Sequence, residues 1–364
     1  MMTLLADVHD RHGANYETRG SRQVVRDYGR PERTHRAVRN VSGVIEMAYD
    51  VLVVTGSDRV DYVDNAVSNR VSGTDGTGVY ALLLDPQGRI RTDMYVYNAG
   101  ERLLVFLPPG TGGELAEEWR EKTFIQDVDI ETGTDEFAIF GVHGQQATEK
   151  IASVFVEQTP EEQLSFVRGG MGDVGVTVVR TDGLTGEEGY EIICSASEAG
   201  DVFDTLANRG LNAAPFGYRT WETLTLEAGT PLFKTELDDE VPNNLGLRNA
   251  VDFDKGCFVG QEVVSRVENR GRATKRLVGL TLDAVAEAGA SVFAGDGTAG
   301  AVTRCVESPT LERPAALALL DQEVATALED TDLTVRVDGE ERPAKGVELP
   351  FVEGSDGSAR LPGY

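Results

Sequence analysis

The 364-residue sequence predicts an α+β fold with a small β-barrel at its C-terminal end. Three observations carry that reading. Apolar runs of strand length are mixed with amphipathic helical stretches, without a repeated strand–helix–strand rhythm. Several runs are joined through turn residues, as hairpins are. From about residue 275 the texture changes to short strands separated by Gly, Pro and Asp, which fits a barrel.

The elements follow in order. YDVLVVTG (49–56) is a buried strand. Ser57 reads as the N-cap of a helix on which Val60, Val63 and Val67 recur at helical spacing. VYALLLD (79–85) and MYVYN (94–98) flank the Pro/Gly turn of DPQGR and read as a hairpin. RLLVFL (102–107) is a strand, ELAEEWREKTF (114–124) a helix, FAIFG (137–141) a strand and 145–155 a helix. VGVTVVRTD (174–182) and YEIIC (190–194) form a second hairpin about LTGEEG. Ser197 reads as the N-cap of the next helix and Gly210 as its stop. YRTWETLTLEAG (218–229) is another helix. RLVGLTLD, ASVFAG, GAVTRCVES, AALALL and LTVRVDG supply the barrel strands.

Length admits two or three domains, and 40% hydrophobic residues are enough for a sizeable core. No window has 18 uncharged apolar residues, so no transmembrane helix is expected. MMTLLADVHDRHG lacks a basic region and an apolar core, so it does not read as a signal peptide, and the cytoplasm is the default. Asp plus Glu number 61 against 34 Lys plus Arg, a net charge of −27. Lysine is confined to Lys122, Lys150, Lys234, Lys255, Lys275 and Lys345. An acidic chain that keeps Arg and loses Lys suggests adaptation to high salt, where self-repulsion is screened. Ordinary acidity is the plainer alternative. Either way a nucleic-acid backbone is excluded as a partner, because like charges repel and no basic stripe is present. Cys194, Cys257 and Cys305 are widely spaced and odd in number, against a disulfide framework or a zinc knuckle. His9 and His12 lack further ligands nearby, so no metal is expected.

Four stretches hold residues able to carry chemistry. In DKGCFVGQE (254–262), Lys255 would favour the thiolate of Cys257, and Gly256 and Gly260 would let a ligand approach the backbone. The same stretch also suits an inert, buried cysteine at a helix start, with Gln261 and Glu262 bonded to the backbone. In TGEEGYE (185–191), Glu191 could accept two parallel N–H bonds from a planar heterocycle, unless the turn is merely solvated. Asp93, after DPQGRIRT, is a general base or a surface hairpin acid. Arg219 and Trp221 offer a cationic fork and an aromatic face, or an ion pair and core packing. GxGxxG, P-loop, HExxH and GxSxG patterns are absent.

Taken in order, the motifs resemble the folate-binding aminomethyltransferase superfamily, which includes the glycine-cleavage T-protein and the YgfZ-type folate-binding protein. The resemblance rests on HDRHGA (9–14), YGRPERTHRAVRNVSGV (28–44), SNRV (68–71), Tyr80, LLLDPQGRIRTD (82–93), RTDGLTGEEGYEI (180–192) and LEAGTPLFKTELDDEVPNNLGL (226–247). It implies three subdomains around a central folate channel, with a second subdomain inserted at about 51–130 of a 1–274 region and the barrel at 275–364. It also implies tetrahydrofolate, or a one-carbon derivative, as cofactor. Lys255 to Glu262 match the YgfZ-type Lys-Gly-Cys-Phe/Tyr-x-Gly-Gln-Glu signature, and so imply an accessory to iron–sulfur cluster assembly or repair. Iron–sulfur enzymes or assembly proteins would then be partners. By resemblance, Glu191 grips the pterin and Asp93 holds the catalytic aspartate's turn. Tyr80, Lys255 and Gln261 fall at binding positions, and Cys257 is a functional thiol. Some family groups differ here. Thr92-Asp93 replaces a pair of aspartates, and Trp221 stands where the T-protein has an arginine, with Arg219 as a stand-in. Val105–Pro109 lacks an asparagine. These departures weigh toward the accessory role, with a tetrahydrofolate-dependent aminomethyltransferase or methyltransferase as the alternative.

Overall fold

A computed structural model describes residues 3–271 and 273–364. Three large sheets and a two-stranded N-terminal hairpin organise them. The first has six strands in the order Phe166–Met171, Val174–Arg180, Gly189–Ser195, Phe137–His143, Gly43–Glu46 and Ala214–Pro215. Only its last pair is parallel. The second has five antiparallel strands: Thr77–Leu84, Ile90–Asn98, Leu103–Leu107, Asp50–Thr55 and Asp129–Thr132. The third is a closed barrel of six strands between Lys275 and Val347. The α+β class and the C-terminal barrel are therefore as the sequence predicts.

The unbroken apolar run in DVLVVT has a direct cause. Leu52 and Val54 pack outward against Val63, Leu115 and Trp119 of the helices Arg59–Ala66 and Gly112–Lys122. Val51 and Val53 pack inward, into the core shared by all three units. A strand covered on both faces has no polar position to alternate with. The six-stranded sheet is built the same way, with Phe140, Val142 and Ile192 under the helix Ala199–Asn208, and Ile45, Ile139 and Ile193 facing inward. The hairpin turn at Asp85–Arg89 is held by its own aspartate, whose Oδ1 accepts the Gln87 and Arg89 amides at 2.8 Å each.

Some local expectations differ. Ser57 does not cap its helix; its hydroxyl donates to Asp127 at 2.9 Å. Ser197 pairs with the Ser195 hydroxyl at 2.9 Å, and the helix starts two residues later. An N-terminal hairpin, Asn15–Arg19 with Arg22–Asp27, has no counterpart in the sequence reading. After Val347 the chain leaves the barrel. It runs back across the other units, with the Val352 amide donating to the Glu227 carbonyl and Ala359 to Asp182. Among the described residues no helix is long and apolar enough to cross a membrane.

Candidate functional site

The inner faces of the two sheets and the returning C-terminal segment meet around a buried polar cluster. Alternation along Ile90–Asn98 sends Met94 and Val96 outward and Asp93, Tyr95 and Tyr97 inward. Tyr80, on the adjacent strand, lies opposite Tyr95 and donates to Asp93 Oδ2 at 3.1 Å. Arg360 enters from the C-terminal segment. Its guanidinium lies 3.7 Å from the Tyr80 ring centroid and donates to Asp93 Oδ2 at 2.9 Å and to the Tyr95 hydroxyl at 2.5 Å. Tyr95 in turn donates to Asp182 Oδ1 at 2.8 Å, and Arg360 Nε stands 3.5 Å from Asp182 Oδ2. On the facing sheet, Glu191 Oε1 accepts the Tyr49 hydroxyl at 2.7 Å. The Tyr49 ring stands edge-on to Tyr95 and stacks on Phe106.

Three buried carboxyls, those of Asp93, Asp182 and Glu191, thus gather in one cluster, and its guanidinium, that of Arg360, contacts only the two aspartates. A poorly solvated set of this kind retains a proton, and it stays on the acid with no cation against it. That acid is Glu191. Burial pushes its carboxyl up to about 7, and nearby Asp182 adds to the rise while the Tyr49 hydrogen bond opposes it. Burial also raises Asp93, against the pull of Arg360 and Tyr80. Asp93 Oδ1, Asp182 Oδ2 and Glu191 Oε2 are buried without a hydrogen-bond partner among the described residues, and of these Asp182 Oδ2 faces the Arg360 guanidinium, which leaves the other two free. Buried polar atoms are ordinarily paired, so two free carboxylate oxygens mark where a ligand's donors belong. A cavity of about 340 Å³ lies alongside, lined by Tyr97 and Ile193, each two residues along its strand from Tyr95 and Glu191, with Phe137 and Phe166. Its volume and aromatic walls suit a flat organic ligand.

The structure brings Tyr80, Asp93 and Glu191 together. It does not bring the other sequence candidates to them. Arg219 is exposed on the helix Tyr218–Glu227. Lys255 is buried, but its ammonium is committed to the carbonyls of Asp64 at 2.5 Å, Val67 at 3.1 Å and Asn69 at 2.8 Å. It pins the 254–260 loop to the five-stranded unit and does not stand as a free cation beside Cys257. Gln261 Nε2 donates to the Lys255 carbonyl at 3.3 Å. Gly260 adopts φ +82°, and a Cβ there would lie 2.6 Å from the Asp85 carbonyl oxygen, so this loop docks on the hairpin turn only through glycine. Cys257 is exposed on the loop. The His9 ring bridges Glu46 and Tyr28 at 2.6 and 2.8 Å. Sequence reasoning missed Tyr49, Tyr95, Asp182 and Arg360. Asp182 lies inside RTDGLTGEEGYEI, but Arg360 sits in an aperiodic Gly-rich tail that carries no signal.

A second polar cluster is structural. Glu227 accepts His35 at 2.8 Å, Arg39 at 2.7 Å and Ser308 at 2.6 Å, while Arg39 also reaches Glu187 at 2.9 Å. Burial alone would push the Glu227 carboxyl up; His35 and Arg39 outweigh it and hold it below its ordinary range. It ties the helices Pro31–Asn40 and Tyr218–Glu227 to the barrel.

Several sheets with a closed C-terminal barrel match the architecture of the glycine cleavage T-protein family. The chain superposes on the crystal structure of glycine cleavage system aminomethyltransferase T from Bartonella henselae with a TM-score of 0.87, covering 97% of this chain and 98% of that one at 21% identity, a likeness of fold. Residues 5–255 match the GCVT N-terminal domain and residues 275–353 the glycine cleavage T-protein C-terminal barrel domain, and the chain belongs to this family. It is 31% identical to an aminomethyltransferase of Cutibacterium acnes, over 97% of this chain and 98% of that protein. It is 29% identical to one of Halalkalibacterium halodurans, over 96% and 97%. The family's cofactor is tetrahydrofolate. The residues present fit it: a carboxylate with an open oxygen for the ring's N–H donors, and an aromatic cavity beside it.

Proposed function

We propose that the chain is a tetrahydrofolate-dependent one-carbon transferase of the aminomethyltransferase type. The observation that carries this reading is the pair of open carboxyl oxygens, Glu191 Oε2 and Asp93 Oδ1, within one buried cluster. Tetrahydrofolate supplies the acceptor amine. Glu191 accepts the N–H and amine of the pterin edge, two parallel bonds that fix the ring's orientation. Asp93 is held by Tyr80 and Arg360 with Oδ1 open, placed to exchange a proton at the reacting centre. The buried setting excludes water and sharpens these interactions. The relatives' shared name supports transfer over an accessory role.

One observation favours the accessory reading, a folate-binding protein of the YgfZ type serving iron–sulfur enzymes. Cys257 is exposed, within the Lys-Gly-Cys-Phe-x-Gly-Gln-Glu stretch that resembles that subfamily. Calorimetric titration with tetrahydrofolate tests what both readings share. Binding is expected in the wild type and at least about tenfold weaker in Glu191→Ala. Absence of binding refutes both. Ammonia release from an aminomethyl donor separates them. The transferase reading expects turnover to fall by roughly 100-fold in Asp93→Asn and to stay within about twofold in Cys257→Ser. The reverse ranking supports the accessory role.

A further inference from the structure

His143 ends the strand Phe137–His143 on the same inner face as Glu191. The register sets Gly189 opposite His143 and Gly141 opposite Glu191. The imidazole lies across these two glycines. A Cβ on Gly141 would come within 2.7 Å of Nε2, and one on Gly189 within 2.5 Å of Nδ1. Only glycine at both positions leaves room for the ring. The Thr181 hydroxyl lies at the Nδ1 end, also 2.5 Å from where a Gly189 Cβ would sit. The Trp221 ring packs at 5.1 Å and Phe216 at 6.4 Å, so the aromatic neighbours supply no hydrogen bond.

His143 is 1% exposed, yet neither ring nitrogen has a hydrogen-bond partner among the described residues. Thr181 Oγ1 and Glu191 Oε2 are unpartnered as well. The Thr181 hydroxyl is the polar side-chain group that crowds the Nδ1 end. Nε2 lies over Gly141, the residue opposite Glu191, so a proton on Nε2 would make it a donor on that side. A buried N–H left unpaired is costly, so this arrangement is built for something that binds.

We propose that His143 is a specificity-determining residue beside Glu191, donating from Nε2 to an oxo group of the bound heterocycle next to the donors that Glu191 accepts. This deepens the folate reading and rests on it. In an amino-oxo pyrimidine ring, the ring N–H lies between the exocyclic amine and the oxo group. A carboxylate that takes the amine and the N–H leaves the oxo oxygen at the next position, where Nε2–H stands. A ring with an amine in place of that oxo group would set donor against donor.

The test compares 5-formyltetrahydrofolate with its 4-amino counterpart by calorimetry, for wild type, His143→Phe and His143→Gln. The wild type is expected to favour the oxo ligand by about tenfold or more, a single hydrogen bond's worth. His143→Phe loses that preference at unchanged or raised Tm. His143→Gln, whose amide can turn, keeps oxo binding within about threefold. On the wild type alone, the His143 ¹⁵N signals, identified among four histidines by their loss in the Gln variant, are expected to move on binding. Equal preference in wild type and His143→Phe, with unmoved ¹⁵N signals, overturns the inference alone. No binding of either ligand by the wild type overturns the folate reading and this inference with it.

Discussion

At the scale of residues, the cluster leaves one buried acid without a cation in contact and sets the other two against Arg360. Glu191 holds its proton up to about pH 7, where a free glutamate side chain has lost it near 4.5. The folded state therefore binds more protons than the unfolded chain between those values, and stability falls as pH rises through that window. Glu191→Gln removes the term. Its Tm relative to wild type is expected to improve from pH 5 to pH 8, by at most about 3 kcal/mol of stability. Tetrahydrofolate affinity in the wild type should move oppositely and rise through pH 7, because the ionised carboxylate is the better acceptor. A pH-independent difference between Glu191→Gln and wild type would refute the assignment. Glu191, Asp93 and Tyr80 were legible from the resemblance, which orders motifs along the chain. Arg360 was not, because its contacts are made more than 260 residues away in sequence, to Tyr95 and Asp93. Arg219 was misleading for a related reason: two residues along a helix is a change of face, and it turns outward while Trp221 turns in.

At the scale of elements, the family motifs turn out to serve assembly as much as chemistry. THRAVR supplies His35 and Arg39, LEAG supplies Glu227, and TGEEGYE supplies Glu187, and the four interlock without touching Asp93 or Glu191. Removing one member of a buried ion cluster strands the rest. Glu227→Ala is expected to cost about 3–5 kcal/mol by chemical denaturation, leaving Arg39 and His35 with uncompensated polarity. Loss below 1 kcal/mol would show that water reaches the cluster and replaces the carboxylate. Strands and hairpins with turn residues, such as 82–93, were legible because the signal lies within a few neighbouring positions. The caps were not. Ser57 and Ser197 have the right residue type, but each found a hydroxyl or carboxylate partner that geometry put closer. The parallel pairing of Ala214–Pro215 with Gly43–Val44 is a contact across the whole chain that no local pattern encodes.

At the scale of the molecule, periodicity marked where strands lie but not how three sheets converge; the motif order supplied that, because a shared ancestor fixes topology that local physics leaves open. Charge is the property the sequence states most directly, and the structure sharpens it. Two of the six lysines, Lys150 and Lys255, are buried against carbonyls, so even fewer remain to offset 61 acids at the surface. The cations that do balance surface acids are mostly arginines, as in Arg91–Glu118 and Arg168–Asp75. Such exposed pairs contribute little, and salt weakens them. The net charge of −27 acts the other way, repelling itself across the whole surface at low ionic strength. Between roughly 0.1 M and 1 M salt the Debye length shrinks from about 10 Å to about 3 Å, which removes most of that repulsion while leaving the buried Arg360 and Glu227 clusters intact. Tm is therefore expected to rise steeply with KCl over that range and to level off once screening is complete. Calorimetric scans in KCl, repeated in sucrose to isolate surface exclusion from screening, measure it. A Tm that is flat or falling in KCl would mean that the surface ion pairs outweigh the net charge, and that the acidity is no adaptation to salt.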